Sequence, residues 1–242
     1  MITNNIVGQL KKLGTVIISS YLFIISPVHA GDITGSVHDF SDGTYKGGST
    51  YTWNTSGELC VVCHTPHASD TSVTVAPLWN HSPSTSTTYN LYTSNTLTAT
   101  VGQPTGVSVL CLSCHDGSVA VDSFGGATGT NMIDTINAAA NIGEDSAGTG
   151  NLKNDHPISF TYDAALATAD GGLFDPSKTV TTGGGTRTRT GTITATMLSG
   201  GTVQCTTCHD VHNNYVNTTD TDPKLLRIAR SGSDLCLACH DK

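Results

Sequence analysis

The sequence predicts a mostly coil fold, with short helices at four cysteine pairs, a few short β-strands, and a core organised around bound groups. Three observations predict it. Only 37% of the 242 residues are hydrophobic and 6% aromatic, whereas glycine numbers 26 and threonine 39. Such a chain has little apolar surface with which to offset the entropy lost on ordering. All 8 cysteines fall in CxxC pairs. A histidine follows every pair. The net charge of −8 argues against nucleic acid, whose phosphates need a basic footprint. The pattern is that of neither a coiled coil, a membrane bundle nor a dinucleotide-binding enzyme.

The first element is an export signal. Lys11 and Lys12 close a polar stretch, and residues 13–26 form an apolar run too short to span a bilayer comfortably. Pro27 ends the run, and Val28 and Ala30 place small residues before a cleavage point after Ala30. The alternative is an uncleaved membrane anchor. Removal of residues 1–30 takes two lysines and no acids, so the net charge falls from −8 to −10. No second hydrophobic span follows, so a chain cleaved there is expected to lie in no membrane.

Four motifs carry the chemistry: Cys60-Val-Val-Cys63-His64, Cys111-Leu-Ser-Cys114-His115, Cys205-Thr-Thr-Cys208-His209 and Cys236-Leu-Ala-Cys239-His240. CxxCH is the attachment signature of c-type haem. Two intervening residues put both sulfurs on one side of a short turn, where each can form a thioether to the porphyrin. The adjacent imidazole then reaches the iron as proximal ligand. Disulfides, zinc ribbons and a redox CxxC compete for the cysteines. None of these requires a histidine after every pair. The reading is four covalently attached c-type haems in a multihaem cytochrome c. Four apolar porphyrins would supply the core that the side chains lack.

The remaining histidines set the axial ligands. His29 leaves with the signal, and His64, His115, His209 and His240 are proximal. His38, His67, His81, His156 and His212 remain as distal candidates, five for four irons. Beyond the initiator, only Met132 and Met197 could compete, so bis-His coordination is expected. It holds potentials low, because an axial Met raises them. His67 and His212 each lie three residues after a proximal histidine. Neither can reach the far side of its own haem, but each can reach a neighbouring iron. Asp155-His156-Pro157 is stiffened by its proline.

The motifs alternate in type. Motifs 1 and 3 read CxxCHxxH, whereas motifs 2 and 4 share Leu-Cys-Leu-x-Cys-His-Asp. The order implies two dihaem halves, 31–150 and 151–242, forming one compact unit. On that symmetry His38, His67, His156 and His212 are the distal set and His81 is the spare. Elsewhere, residues 87–101 read as β-prone, and 186–196 as one arm of a hairpin after Gly183-Gly184-Gly185. Residues 125–150 read as a linker.

The blocks SVHDFS (37–42), CVVCHTPH (60–67), APLWNHS (76–82), CLSCHDGSVA (111–120), DHPISF (155–160), CTTCHDVHNN (205–214) and LCLACHDK (235–242) resemble the doubled-CXXCH-motif tetrahaem cytochromes. They are especially similar to outer-surface members that polymerise into extracellular nanowires. The resemblance touches most of the chain after residue 30, except 120–150 and 165–200. It implies bis-His haems stacked in alternating parallel and T-shaped pairs. It also implies one iron ligated across a subunit interface, with His38, His67 and His81 as candidates for the shared ligand.

The expected function is electron transfer, not catalysis, since the histidine supply need leave no iron open for substrate. The leading reading is an extracellular filament subunit passing electrons through stacked haems. The alternative is a soluble periplasmic or surface carrier, and a multihaem reductase is a third. Expected partners are further copies, head to tail, and other cytochromes.

Overall fold

A computed structural model describes residues 33–41, 52–142, 150–184, 188–213 and 224–241. The export signal and His29 lie outside the described residues. No described helix is long and apolar enough to cross a membrane.

Coil dominates, as the composition requires. The longest described helix has 8 residues and the longest strands have 4. The helices are α1 (Ser108–His115), α2 (Ile133–Asn137), α3 (Ala164–Asp170), α4 (Ile193–Thr196), α5 (Cys205–Cys208) and α6 (Asp234–Leu237). The strands are β1 (Asn90–Leu91), β2 (Asn151–Leu152), β3 (Phe160–Thr161), β4 (Thr179–Thr182), β5 (Arg189–Thr192) and β6 (Thr202–Val203). They form three separate two-stranded pairs: β1 with β2 in parallel, and β3 with β6 and β4 with β5 antiparallel.

Local chemistry explains where elements start and stop. The Asp163 carboxylate accepts from Leu166 N–H at the start of α3, and Gly171 ends it in the left-handed region at φ 67°. The Thr192 hydroxyl accepts from Ala195 N–H and starts α4. In β4, Val180 and Thr182 point inward while Thr179 and Thr181 face out, the alternation of a half-buried strand.

Expectation and structure differ at four places. Helical turns occur at motifs 2, 3 and 4, but motif 1 makes one hydrogen-bonded turn only, with His64 N–H donating to the Cys60 carbonyl at 2.8 Å. Within 87–101 only Asn90–Leu91 is strand. Gln103 intervenes there, its side chain accepting from Tyr89 N–H at 2.7 Å and donating to the Tyr89 carbonyl at 3.0 Å. The hairpin forms, with β4 as the opposite arm, but 193–196 turns into α4 because Thr192 caps it. The linker 125–150 contains α2 and a following helical turn at Ala138–Ala140.

Two small apolar clusters stand in for one core. The larger gathers Tyr162, Ala167, Val180, Ile193, Met197, Val203 and Ala238. The smaller gathers Tyr89, Leu112 and Leu152. Met197 is thus packed among apolar side chains. Contacts also run between the segments before and after residue 150: β1 pairs with β2, and Thr105 N–H donates to Ser159 Oγ at 2.9 Å.

Ile193 is 0% exposed in the larger cluster, so Ile193→Ala should cost about 2–5 kcal/mol. Val75 is 44% exposed, and Val75→Ala should stay within about 0.5 kcal/mol. Guanidinium unfolding of the haem-loaded variants checks both.

Candidate haem-attachment sites

All eight cysteines are free thiols, so the disulfide reading finds no pair in the structure. Among the described residues no group of three or more His, Cys, Asp or Glu side chains is placed to hold a metal ion.

Motifs 1 and 3 are built by one backbone pattern. Around motif 1, Thr65 N–H donates to the Leu78 carbonyl and Asn80 N–H to the Cys63 carbonyl, both at 2.9 Å. Around motif 3, Asp210 N–H donates to the Leu225 carbonyl and Arg227 N–H to the Cys208 carbonyl, both at 2.8 Å. Leu78 and Leu225 both sit in the left-handed region at φ 55°. So do Ala68 at 56° and Asn213 at 57°, each directly after the second histidine of its motif. Non-glycine residues adopt this region uncommonly, so four matched occurrences mark a repeat of one local fold. The downstream clasp is invisible to a search for shared side chains, since Trp79 and Asn80 stand opposite Leu226 and Arg227. The signal present in the sequence is a proline followed within two residues by leucine, at Pro77-Leu78 and Pro223-Lys224-Leu225.

The clasps also aim the proximal rings. His64 Nδ1–H donates to the Pro77 carbonyl at 2.8 Å, and His209 Nδ1–H to the Lys224 carbonyl at 2.7 Å. His115 Nδ1–H donates to the Ala140 carbonyl at 2.6 Å. Among the distal candidates, His156 Nδ1–H donates to the Pro157 carbonyl at 2.8 Å. Fixing the proton on Nδ1 leaves Nε2 as the lone-pair nitrogen a metal needs.

Motifs 2 and 3 are joined through their helix starts. Gln204 Oε1 accepts from Ser108 N–H at 3.2 Å and from Ser108 Oγ–H at 2.6 Å. Ser108 Oγ accepts in turn from Cys205 N–H at 3.1 Å. Each residue therefore satisfies an orphan donor at the start of the other's helix. Motif 4 docks on 172–174: Phe174 N–H donates to the Cys239 carbonyl at 2.8 Å and Asp241 N–H to the Gly172 carbonyl at 2.9 Å. The Lys178 ammonium donates to the Leu237 carbonyl at 3.1 Å, a cation at a helix C-terminus.

Three distal candidates face a proximal histidine. Ring centroids lie 6.0 Å apart for His38 and His115, 6.2 Å for His212 and His64, and 6.3 Å for His156 and His240. Two imidazoles sharing one metal at bonds of about 2 Å each have centroids ~6 Å apart. His67 is exposed, and its ring forms no such pair with His209 in the described structure. His81 sits differently. It is 1% exposed, with Nδ1 2.8 Å from the Ser82 carbonyl, and Nε2 3.1 Å from the Ala120 carbonyl and 3.4 Å from Cys114 Sγ.

Burial dominates the electrostatics. It depresses His38 to about 3, helped by the proximity of His115, His209 and His212. Burial also lowers His115, against the hydrogen bond to Ala140. His212 is lowered by burial, and Asp210 pulls the other way. All three rings are thus held neutral, the form that binds iron. Burial pushes Cys63, Cys208 and Cys239 up to about 11. The Cys111 thiol donates to Cys205, which raises Cys111 and lowers Cys205. Burial pushes Asp116 up, but hydrogen bonds from Ser84, Tyr89 and Ser118 outweigh it and hold the carboxyl below its ordinary value.

These residues fit a bound porphyrin. Three of the cysteine pairs precede imidazoles oriented by backbone carbonyls, and three pairs of rings stand at the separation a shared metal requires. Trp79 Nε1 and Asp155 Oδ2 are buried without a hydrogen-bond partner. The Trp79 ring stands edge-on to His64 at 6.1 Å. Asp155 is close enough to Cys205 to act on its thiol, and burial raises its own pKa. An orphaned indole N–H is a donor suited to the acidic arms of a haem.

Gln204 is 3% exposed, so Gln204→Ala should leave Ser108 unsatisfied and cost about 1–3 kcal/mol. Thermal unfolding measures the loss.

In comparison with known families, a model described as doubled CXXCH motif matches residues 198–242, the stretch holding motifs 3 and 4. A search of curated proteins finds no match. The matched motif supports a multihaem c-type cytochrome-like family and indicates a haem-binding, cytochrome-type electron carrier. The CxxCH motifs indicate covalently attached c-type haem.

Proposed function

We propose that this chain is an exported tetrahaem c-type cytochrome whose four irons are all bis-His coordinated, and that it carries electrons between redox partners outside the cytoplasm. The assignment is His38 to the iron of His115, His212 to that of His64, His156 to that of His240, and His67 to that of His209. The carrying observation is the repeat of motifs 1 and 3. His212 of the second copy already faces His64 of the first at 6.2 Å. By analogy with that repeat we assign exposed His67 to return the exchange to His209. Residues 1–30 are the export signal, and 31–150 and 151–242 are the two dihaem halves of one compact unit.

When bound, the haems supply one-electron redox chemistry. The protein holds Nδ1–H of His64, His115 and His209 on backbone carbonyls, and burial favours the neutral ring of His115. Cys60 and Cys236 are the two exposed cysteines. Haems held at motifs 1 and 4 would be the ones through which electrons enter and leave. The filament implied by the family resemblance needs one histidine to serve a second copy. The assignment uses four of the five candidates within the chain, and the fifth, His81, is buried with both nitrogens against carbonyls. Three of those four face a proximal histidine, and with His67 assigned by the repeat the set supports a self-contained carrier. Filament contact through the exposed edges of motifs 1 and 4 is the second reading.

The intact mass and a pyridine haemochrome assay of the exported protein should give four haems per chain. His38→Ala, His67→Ala, His156→Ala and His212→Ala should each add a high-spin signal. His81→Gln should leave the near-infrared bis-His signature unchanged while lowering the melting temperature. A new high-spin iron in His81→Gln would overturn the assignment. Negative-stain microscopy of the native protein separates the two readings, dispersed particles for the carrier and continuous fibres for the filament.

A further inference from the structure

The residue directly after the proximal histidine differs among the motifs: Thr65, Asp116, Asp210 and Asp241. Asp116 is 0% exposed and Asp210 5%, while Asp241 is exposed. The Asp116 carboxylate is enclosed by donors. It accepts from Tyr89 Oη–H at 2.6 Å, from Ser118 N–H at 2.8 Å, and from Ser84 Oγ–H. Ser84 is itself 3.1 Å from both Tyr89 Oη and Ser118 Oγ, which locks the cage together. Nothing in haem attachment or iron ligation requires such a cage, and motif 1 has a threonine in its place.

We propose that Asp116 is a potential-setting residue: a fixed, buried negative charge beside His115 that holds the motif 2 haem at a lower reduction potential than the motif 1 haem. The inference rests on a haem being attached at Cys111–His115, as proposed above. Reduction adds one electron, delivered by a one-electron partner, to an iron that stays bis-His ligated, and no bond forms or breaks. A ferric porphyrin core carries one net positive charge and the ferrous core none. A nearby anion therefore stabilises the ferric state and disfavours reduction. Three donors keep the carboxylate ionised despite burial. Burial also shields it from salt, so its field persists where that of exposed Asp241 is screened. Tyr89 and Ser84 act as positioning residues through the carboxylate.

Spectroelectrochemical titration of the four-haem protein tests this, with paramagnetic NMR identifying the haem beside Tyr89. Asp116→Asn should raise that haem's potential by the equivalent of about a tenfold change in its ferric-to-ferrous equilibrium, about 59 mV for one electron. Asp241→Asn should move no potential by as much. Tyr89→Phe removes a neutralising dipole but keeps the charge, so it should shift the same haem downward. General loosening would instead move both variants in one direction. Fully loaded Asp116→Asn with unmoved potentials overturns the proposal, as does an upward shift in Tyr89→Phe. Where Asp116→Asn fails to mature, Tyr89→Phe carries the test alone, and an unmoved potential there is a refutation. Haem counting separates the failures: a wild-type chain without haem at motif 2 refutes the tetrahaem reading, whereas a loaded chain with unmoved potentials refutes only this inference.

Discussion

The junction between Ser108 and Gln204 is the constraint on which the arrangement of motifs depends. Each side chain completes the start of the helix that carries the other. Such a junction fixes both position and direction, because a hydrogen bond made by the wrong register leaves buried donors unpaired. Cys111 and Cys205 come together one turn along. His38 then lies among His115, His209 and His212, residues of both motifs. Apolar packing does not set this meeting point. The two clusters flank it without merging, and each is small for a chain of this length. A few hydrogen bonds worth about 1 kcal/mol each specify the geometry without supplying much stability. Stability must come from elsewhere, and bound porphyrin surface is the available source.

The sequence made legible whatever chemistry forces to be adjacent in the chain. Thioether formation and proximal ligation need Cys, Cys and His within five residues, so all four motifs were plain. The second histidines of motifs 1 and 3 were plain for the same reason. Long-range contacts carried no comparable signal. Gln204 and Ser108 are common polar residues at loop-to-helix boundaries, and nothing in their neighbourhoods marks them as partners. The parallel pairing of Asn90–Leu91 with Asn151–Leu152 joins segments that read separately as a strand and as the end of a linker. His81 looked equivalent to the other free histidines, because sequence does not say which carbonyls will meet a ring.

The repeat shows how such information is hidden. The clasp around motif 1 and the clasp around motif 3 share backbone hydrogen bonds and left-handed positions, but few side chains. A backbone pattern tolerates Trp79 against Leu226, since both need only cover an apolar face. It tolerates Asn80 against Arg227, since the shared bond comes from the main-chain N–H. Each side chain then adds a local bond of its own: Asn80 Nδ2–H to the Val61 carbonyl, Arg227 Nε–H to the Thr206 carbonyl. The two copies reach one geometry by different side-chain routes.

Motifs 2 and 4 diverge where motifs 1 and 3 agree, and the divergence follows from position. Motif 2 is anchored downstream, with Ile142 N–H donating to the His115 carbonyl at 2.8 Å. Motif 4 is anchored upstream, on 172–174 and Lys178. The aspartate they share after the proximal histidine therefore meets different surroundings. In motif 2 it is enclosed by Tyr89, Ser84 and Ser118, and in motif 4 it stays in solvent. One short sequence block placed in two dielectric environments exerts two different fields on its neighbouring imidazole. With haem attached at both motifs, as proposed, a chain built by repeating one attachment motif would gain inequivalent redox centres without altering the motif itself.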